Sequence, residues 1–201
     1  MDRPTLTFLR LSQLYQTLEK KSGNPKEKLF NLLRTFKCSR NPDIEVFLHK
    51  TALEFELRDK SRTYLWLCPL RSLLVVAGYF TLALDVVEFP ETLSKSLKKK
   101  LSKGYAPKKP YMPVYLIGQL GRNDRIPKEL LPGELILKEA LSFVKEASSI
   151  VGNRLVIVDV AENGTEGTQR LIDWYKNFGF KELDLLEAED KKLIRLYLIL
   201  R

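Results

Sequence analysis

The sequence predicts a single α/β domain, of the α+β kind, in which helices flank one sheet. Its 201 residues suit one domain, and 44% hydrophobic with 29% charged residues is ordinary globular composition. Strand-like and helix-like segments alternate in the second half, an order that places ligands at the carboxyl ends of strands. We therefore expect residues 1–201 to form one domain, with a basic insertion at about 93–111.

The N-terminal half predicts a strand, two helices and a β-hairpin. Residues 5–14 are apolar at near-alternate positions, which indicates a strand. Helices are expected at 25–36 and 41–59, because each has a proline in its first turn and an apolar stripe. Strands at 62–67 and 73–82 are close enough in the chain to form a hairpin.

The C-terminal half predicts two buried strands that alternate with amphipathic helices, followed by two closing strands. In order, we expect a strand at 112–120, a helix at 134–150, a strand at 154–160, a helix at 165–178, and strands at 180–186 and 192–200. Gly152 and Gly179 fit the ends of the two helices.

The composition excludes several classes of function. The formal charge of +9 favours anionic partners, either a polyanion such as RNA or an anionic cofactor. His49 is the only histidine, and Cys38 and Cys68 have no paired spacing, so we expect neither a metal site nor redox chemistry. No apolar run is long enough to span a membrane and no leader pattern is visible, so we expect a cytoplasmic protein without a membrane partner.

The start of the helix near Gly133 is a candidate anion-binding site. A helix N-terminus presents backbone amides and a partial positive charge, and glycine lets a phosphate approach the backbone. Arg122, Arg125 and Lys128 in the preceding loop would add positive charge, whereas Glu134 in the first turn would compete with phosphate. The same residues also fit a polar loop that merely connects a strand to a helix.

Tyr175 is the candidate for proton transfer. The neighbouring Phe178, Gly179 and Phe180 are explained by a helix that stops at glycine with aromatic residues in the core. Tyr175 lies one turn before that stop, so its hydroxyl could reach the carboxyl edge of the sheet. A phenol in that position can donate a proton to a leaving thiolate.

These motifs, taken in order, resemble the GNAT superfamily of N-acetyltransferases. In the C-terminal half the resemblance is carried by residues 114–120, 133–137, 155–160 and Tyr175 with Phe178, Gly179 and Phe180. In the N-terminal half it is carried by residues 36–42, 47–48, 61–65 and 78–82, which look like the branch that includes acetyltransferase toxins of bacterial toxin–antitoxin pairs. Each motif is weak alone, but the ordered set spans nearly the whole chain.

The resemblance implies a mixed, mostly antiparallel sheet of six to seven strands with a splayed central pair. It also implies transfer of an acetyl group from acetyl-CoA, as cosubstrate, to a primary amine by direct attack. The backbone of Gly118, Gln119 and Leu120 would bind the pantetheine arm, and the loop ending at Gly133 would bind the pyrophosphate. Tyr175 would protonate the CoA thiolate.

The phosphate loop departs from the family pattern of a Gln or Arg followed by two glycines. Lys128 takes the first place, Leu131 replaces the first glycine, and Gly133 alone survives. Pro132 also lacks an amide, so we expect a lowered cofactor affinity. No general base is evident, but orientation of the reactants can by itself lower a barrier substantially.

A lysine-rich segment suggests where an acceptor binds. No acidic residue occurs between Glu91 and Asp124, and the segment contains Lys95, Lys98, Lys99, Lys100, Lys103, Lys108 and Lys109 with Tyr105 and Tyr111. It fits a platform for RNA as well as a plain solvated surface.

The resemblance to the toxin branch implies that the acceptor is the amino group of an aminoacyl-tRNA; a small-molecule or protein amine is the alternative. It also implies an antitoxin protein as a partner and leaves a homodimer open. Two interpretations compete with this one: a non-catalytic RNA-binding module on a GNAT scaffold, and a structural domain with that scaffold.

Overall fold

The computed structural model describes residues 4–21, 23–88, 93–102, 111–162, 164–188 and 191–200. The elements within these ranges are β1 (Thr7–Arg10), α1 (Leu11–Lys21), α2 (Pro25–Leu33), α3 (Pro42–Lys50), α4 (Ala52–Leu57), β2 (Arg62–Leu70), β3 (Leu73–Glu88), α5 (Lys95–Leu101), β4 (Tyr111–Arg122), α6 (Gly133–Val151), β5 (Leu155–Glu162), α7 (Glu166–Asn177), β6 (Lys181–Ala188) and β7 (Lys191–Ile199). None of the helices in these ranges is long and apolar enough to cross a membrane.

The strands form one seven-stranded sheet in the order β1-β2-β3-β4-β5-β7-β6. The described pairings of β1 with β2, β2 with β3, β5 with β7 and β6 with β7 are antiparallel, whereas β4 and β5 are parallel. The parallel pairing comprises two registered pairs, Tyr115 with Val156 and Leu116 with Ile157. The predicted mixed, mostly antiparallel sheet is therefore confirmed.

The N-terminal strand is shorter than predicted and is followed by a helix that the prediction missed. β1 ends at Arg10 rather than at residue 14, and α1 begins at Leu11. Leu11, Leu14 and Leu18 repeat at helical spacing and contact the core. The side chain of Gln13 accepts a hydrogen bond from the Arg10 amide at 3.2 Å, which helps the chain turn from strand into helix.

Four other elements differ from the prediction in extent: α2 ends at Leu33 rather than at residue 36, β2 continues to Leu70 rather than ending at residue 67, and two differ more. The helix expected over 41–59 breaks at Thr51, which ends α3 and precedes α4. The strand expected to end at residue 82 continues to Glu88. In the basic segment, Lys103, Tyr105, Lys108 and Lys109 lie outside the described residues.

The chain divides into two compact units. The first comprises residues 1–83 and 118–143, and the second comprises residues 84–117 and 144–201. The expectation of one domain over 1–201 stays a prediction.

In the first unit, opposite faces of β1–β3 have different partners. Leu65 and Leu67 on β2 belong to a core that they share with residues of α1–α4. Tyr64 and Trp66, the residues on either side of Leu65, point the other way, because side chains alternate along a strand. They join an aromatic cluster with Phe8, Phe80 and Phe143, whose ring centroids are 4.4–6.2 Å apart.

In the second unit, α5 and α7 lie on opposite faces of the sheet. Leu101 of α5 shares a core with Ile157 on β5 and Tyr197 on β7. At the end of α7, a Cβ on Gly179 would lie 3.4 Å from the side chain of Leu198, the residue after Tyr197. Since neighbouring residues of a strand face opposite sides, odd-numbered positions of β5 face α5 and even-numbered ones face α7.

Candidate active site

The residues predicted to bind pantetheine lie in the C-terminal half of β4, in the first unit. Gly118 is exposed, although Ile117 before it is buried, and Gln119 and Leu120 are half-buried. A glycine inside a strand often marks a place where a ligand or another backbone approaches closely. The exposed backbone of Gly118 is thus reachable by a ligand.

A buried asparagine, which the sequence reasoning did not select, fixes the loop between β4 and α6. The Asn123 amide donates to the Ala77 carbonyl at 2.8 Å, and its Nδ2 donates to the carbonyls of Thr35 at 2.9 Å and Val76 at 2.7 Å. Its Oδ1 accepts from the Arg125 amide at 3.0 Å. Because every polar atom of the side chain is used, Asn123 specifies the path of the loop.

Leu131 occupies the place of the missing glycine and is fully buried. A Cβ added to Gly78 would lie 2.6 Å from Leu131 Cδ2, so Gly78 makes room for the leucine side chain. Ile126, also in the loop, is 1% exposed. The departure from the family pattern is therefore a packing feature, in which apolar residues anchor the loop to the core.

The basic residues of this loop have different surroundings. Arg122 is half-buried, and its Nη1 donates to the carbonyls of Ile126 and, at 3.4 Å, of Asn123. This guanidinium therefore also closes the loop. Arg125 and Lys128 are exposed, so both are accessible to an anion from solvent.

Helix α6 begins at Gly133, as the anion-site prediction requires. Gly133 is half-buried and Glu134 is exposed. The amides of Leu135 and Ile136 already donate to the Pro132 carbonyl, at 3.0 and 3.4 Å. The backbone at Gly133 is consequently the part of this turn that best suits a phosphate, and the Glu134 carboxylate opposes one.

Tyr175 lies on α7 in the second unit, in an apolar setting. Its ring packs edge-on against Trp174 at 4.9 Å and Phe180 at 5.4 Å, and the residue is 7% exposed. Burial raises the pKa of the Tyr175 hydroxyl well above its usual value. Among the described residues, none forms a hydrogen bond with this hydroxyl. The phenol therefore stays protonated and suits a proton donor rather than a base.

The end of α7 follows the sequence prediction. The amides of Phe178 and Phe180 both donate to the Tyr175 carbonyl, at 2.9 and 3.3 Å, and Gly179 adopts a positive φ of 90°. Only glycine adopts that conformation easily, so it ends the helix one turn after Tyr175.

Two titratable residues beside the loop have structural surroundings. The Asp124 carboxylate accepts from the Ser39 amide at 2.7 Å, and this bond holds the pKa of Asp124 below its usual value. His49 Nε2 lies 3.1 Å from the Phe36 carbonyl, and burial lowers the pKa of His49. A carboxylate with a lowered pKa is a poor base. Asp124 is therefore a poor candidate for the general base, which the sequence does not reveal.

No protein-family model matches this chain, and no curated protein matches it. The solved structures show the fold: it is that of the GNAT acetyltransferase toxins, and the predicted fold class is confirmed.

Three of these similar structures span nearly the whole chain. A tyrosine-to-phenylalanine mutant of KacT has a TM-score of 0.64 and 18% identity, covering 94% of this chain and 93% of that one. AtaT complexed with acetyl-methionyl-tRNAfMet has a TM-score of 0.62 and 22% identity, covering 97% and 95%. A tyrosine-to-phenylalanine mutant of the AtaT toxin, bound to the C-terminus of the antitoxin AtaR and acetyl-CoA, has a TM-score of 0.56 and 18% identity, covering 97% and 93%.

Proposed function

We propose that the protein is an N-acetyltransferase that transfers the acetyl group of acetyl-CoA to a primary amine. The observation that carries this proposal is the buried, protonated Tyr175, at the end of α7, in a chain with this fold. The AtaT mutant was solved with acetyl-CoA, which supports the same cosubstrate here.

In the proposed complex, the first unit binds the cofactor. The backbone from the exposed Gly118 through Gln119 to Leu120 receives the pantetheine arm. The helix start at Gly133 receives the pyrophosphate, because its backbone and the helix dipole favour an anion. The residues that surround this anion are Arg122, Arg125, Lys128 and Glu134, of which the last opposes binding.

The proposed reaction is a direct transfer. The amine nitrogen forms a bond to the thioester carbonyl carbon, the C–S bond breaks, and its electron pair leaves on sulfur. Tyr175 donates its hydroxyl proton to that thiolate, the surplus proton on nitrogen passes to solvent, and the tyrosinate takes up a proton from solvent to restore the phenol. Acetyl-CoA and the amine thereby become CoA and the acetamide.

Thermal unfolding with acetyl-CoA tests the cofactor assignment. A ligand that binds only the folded state stabilises it by roughly 2.7 kcal/mol at a hundred times its Kd. We expect acetyl-CoA and CoA to raise the Tm, and fragments without phosphate groups, such as pantetheine, to raise it less. Absence of any shift at millimolar acetyl-CoA and CoA would contradict the assignment.

We propose further that the acceptor is an aminoacyl-tRNA, held by the lysines of α5. Leu93, Leu97 and Leu101 recur every four residues and pack against the core of the second unit. The polar side of this helix presents Lys95, Lys98, Lys99 and Lys100, of which Lys95, Lys99 and Lys100 are exposed. The AtaT complex with acetyl-methionyl-tRNAfMet supports an acceptor of this chemistry, and a small-molecule or protein amine is the alternative.

Charge reversal on α5 tests this surface. The triple variant Lys95→Glu, Lys99→Glu and Lys100→Glu should bind tRNA more weakly and with a smaller salt dependence, since each lost phosphate contact lowers the slope of log K against log salt by about 0.7 to 0.9. The exposed Lys20 and Lys21 on α1 and Lys26 on α2 provide a control with the same change of net charge when all three are changed to glutamate. Equal losses of tRNA affinity in both variants would contradict a specific role of α5. If the wild-type protein binds RNA but acetyl-CoA does not raise its Tm, a non-catalytic RNA-binding module is favoured.

The AtaT mutant was solved with the C-terminus of its antitoxin, so we also propose an antitoxin partner for this chain.

A homodimer stays a prediction that sedimentation would test. The expected toxicity is measured as growth arrest on expression.

A further inference from the structure

An ion pair lies on the α5 face of the second unit, outside every site residue named so far. Asp159 on β5 and Arg195 on β7 are registered partners across the strands. Arg195 Nε donates to Asp159 Oδ1 at 2.8 Å, and Nη2 donates to Oδ2 at 2.7 Å. Ile157 and Tyr197, each two residues away on its strand, pack in the core with α5, so the ion pair shares that face.

The ion pair interrupts an apolar surface at some energetic cost. The side chains of Asp159 and Arg195 are only 20% and 14% exposed. A partly buried ion pair loses hydration, and apolar residues of similar volume often stabilise a fold as well or better. Packing alone therefore gives no reason for a charged pair at this position.

The geometry leaves the carboxylate able to accept further hydrogen bonds. A carboxylate has about four acceptor positions, and the two bonds from Arg195 occupy one on each oxygen. Asp159 remains partly exposed, so a ligand can reach it from the α5 side. A primary amine has several N–H donors, and a hydrogen bond that it donates to an ionised carboxylate is stronger than one between neutral groups.

The position along the strand is that of a ligand site. The registered pairs of β5 with β4 include Ile157, and Asp159 follows two residues later toward the carboxyl end of β5. Ligands of α/β sheets bind at the carboxyl ends of parallel strands. The lysines of α5 belong to the same unit, and α5 covers the same face of the sheet.

We infer that Asp159 binds the amino group of the acceptor and that Arg195 is a positioning residue, which fixes the carboxylate orientation through its two hydrogen bonds. This inference rests on the proposed acetyl transfer. Asp159 accepts an N–H hydrogen bond and thereby orients the nitrogen; it forms no covalent bond, and the bond changes remain those of direct attack.

The test compares acceptors that differ only in the amine. The probes are aminoacyl-tRNA, uncharged tRNA and 2-hydroxyacyl-tRNA, in which a hydroxyl replaces the amino group. In Asp159→Asn we expect the KM for aminoacyl-tRNA to rise about tenfold or more, because a charge-assisted hydrogen bond is lost. Its preference for aminoacyl-tRNA over the 2-hydroxyacyl form should fall by a similar factor, while the Tm shift with acetyl-CoA stays unchanged.

Two further variants separate binding from structure. Arg195→Lys keeps the charge but loses the bidentate geometry, so it should raise the same KM less than Asp159→Asn does. Glu182→Gln removes the 2.6 Å ion pair between Lys176 and Glu182 in the same unit, and it should leave the KM unchanged.

The outcomes distinguish this inference from the proposed function. A wild-type protein without an acetyl-CoA shift would overturn both. A wild-type protein that acetylates aminoacyl-tRNA, with an unchanged KM and amine preference in Asp159→Asn, would overturn the role of Asp159 alone. If Asp159→Asn fails to fold, Asp159→Glu replaces it, because it keeps the charge and moves the carboxylate. An unchanged amine preference in both Asp159→Glu and Arg195→Lys would likewise overturn the role of Asp159.

Discussion

Replacing Tyr175 with phenylalanine should lower the rate of acetyl transfer by at least about a hundredfold, the usual contribution of a positioned general acid. The phenylalanine ring keeps the contacts with Trp174 and Phe180, so the fold and acetyl-CoA binding should be retained. Because burial raises the pKa of Tyr175, its own ionisation should not limit the rate anywhere in the neutral range.

Single-turnover acetylation of aminoacyl-tRNA, together with the Tm shift by acetyl-CoA, measures this effect directly. Tyr115→Phe is the matched control, since it removes a hydroxyl that donates to the Gly152 carbonyl at 2.7 Å in the same unit. In cells, we expect expression of the wild-type chain to arrest growth and Tyr175→Phe to relieve that arrest. Equal rates for wild type and Tyr175→Phe would remove the tyrosine from the mechanism.

Asn123→Ala should destabilise the protein by about 2–4 kcal/mol. The change deletes three side-chain hydrogen bonds and leaves the carbonyls of Thr35 and Val76 without that donor, and each buried group left unsatisfied costs about 1–3 kcal/mol. The loop that leads into α6 would also lose its anchor. We therefore expect weaker acetyl-CoA binding as a second consequence.

Urea unfolding monitored by circular dichroism measures the stability change as a lower midpoint with an unaltered m-value. Asn177→Ala, at an exposed position at the end of α7, is the control and should stay within about 0.5 kcal/mol of wild type. If Asn123→Ala lowers the free energy of unfolding by less than about 0.5 kcal/mol, the loop does not depend on this side chain.

The sequence predicted the long, strongly periodic elements best. The helix expected at 134–150 is α6, Gly133–Val151, because its apolar stripe and its flanking glycines agree. At the N-terminus, strand and helix patterns run together without an intervening Gly or Pro, so the pattern extends the predicted strand into the first turn of α1. In the basic segment, Leu93, Leu97 and Leu101 recur at helical spacing, and the structure has the helix α5 there.

The candidate site was predictable only where local pattern decides it. Tyr175 follows from its distance to the helix stop at Gly179. Asn123 did not, because its acceptors on Thr35 and Val76 are 88 and 47 residues away in the chain. Asp159 and Arg195, 36 residues apart, become partners only through the register of β5 with β7.

Leu131 fills the space beside Gly78, so a change at either position affects the packing of the other. Glycine at position 131 would leave a void in the core. A larger residue at position 78 would collide with the leucine side chain. A Cβ at residue 78 would also lie 3.0 Å from the Gly121 carbonyl oxygen, so related chains should keep glycine at 78 even where residue 131 is small.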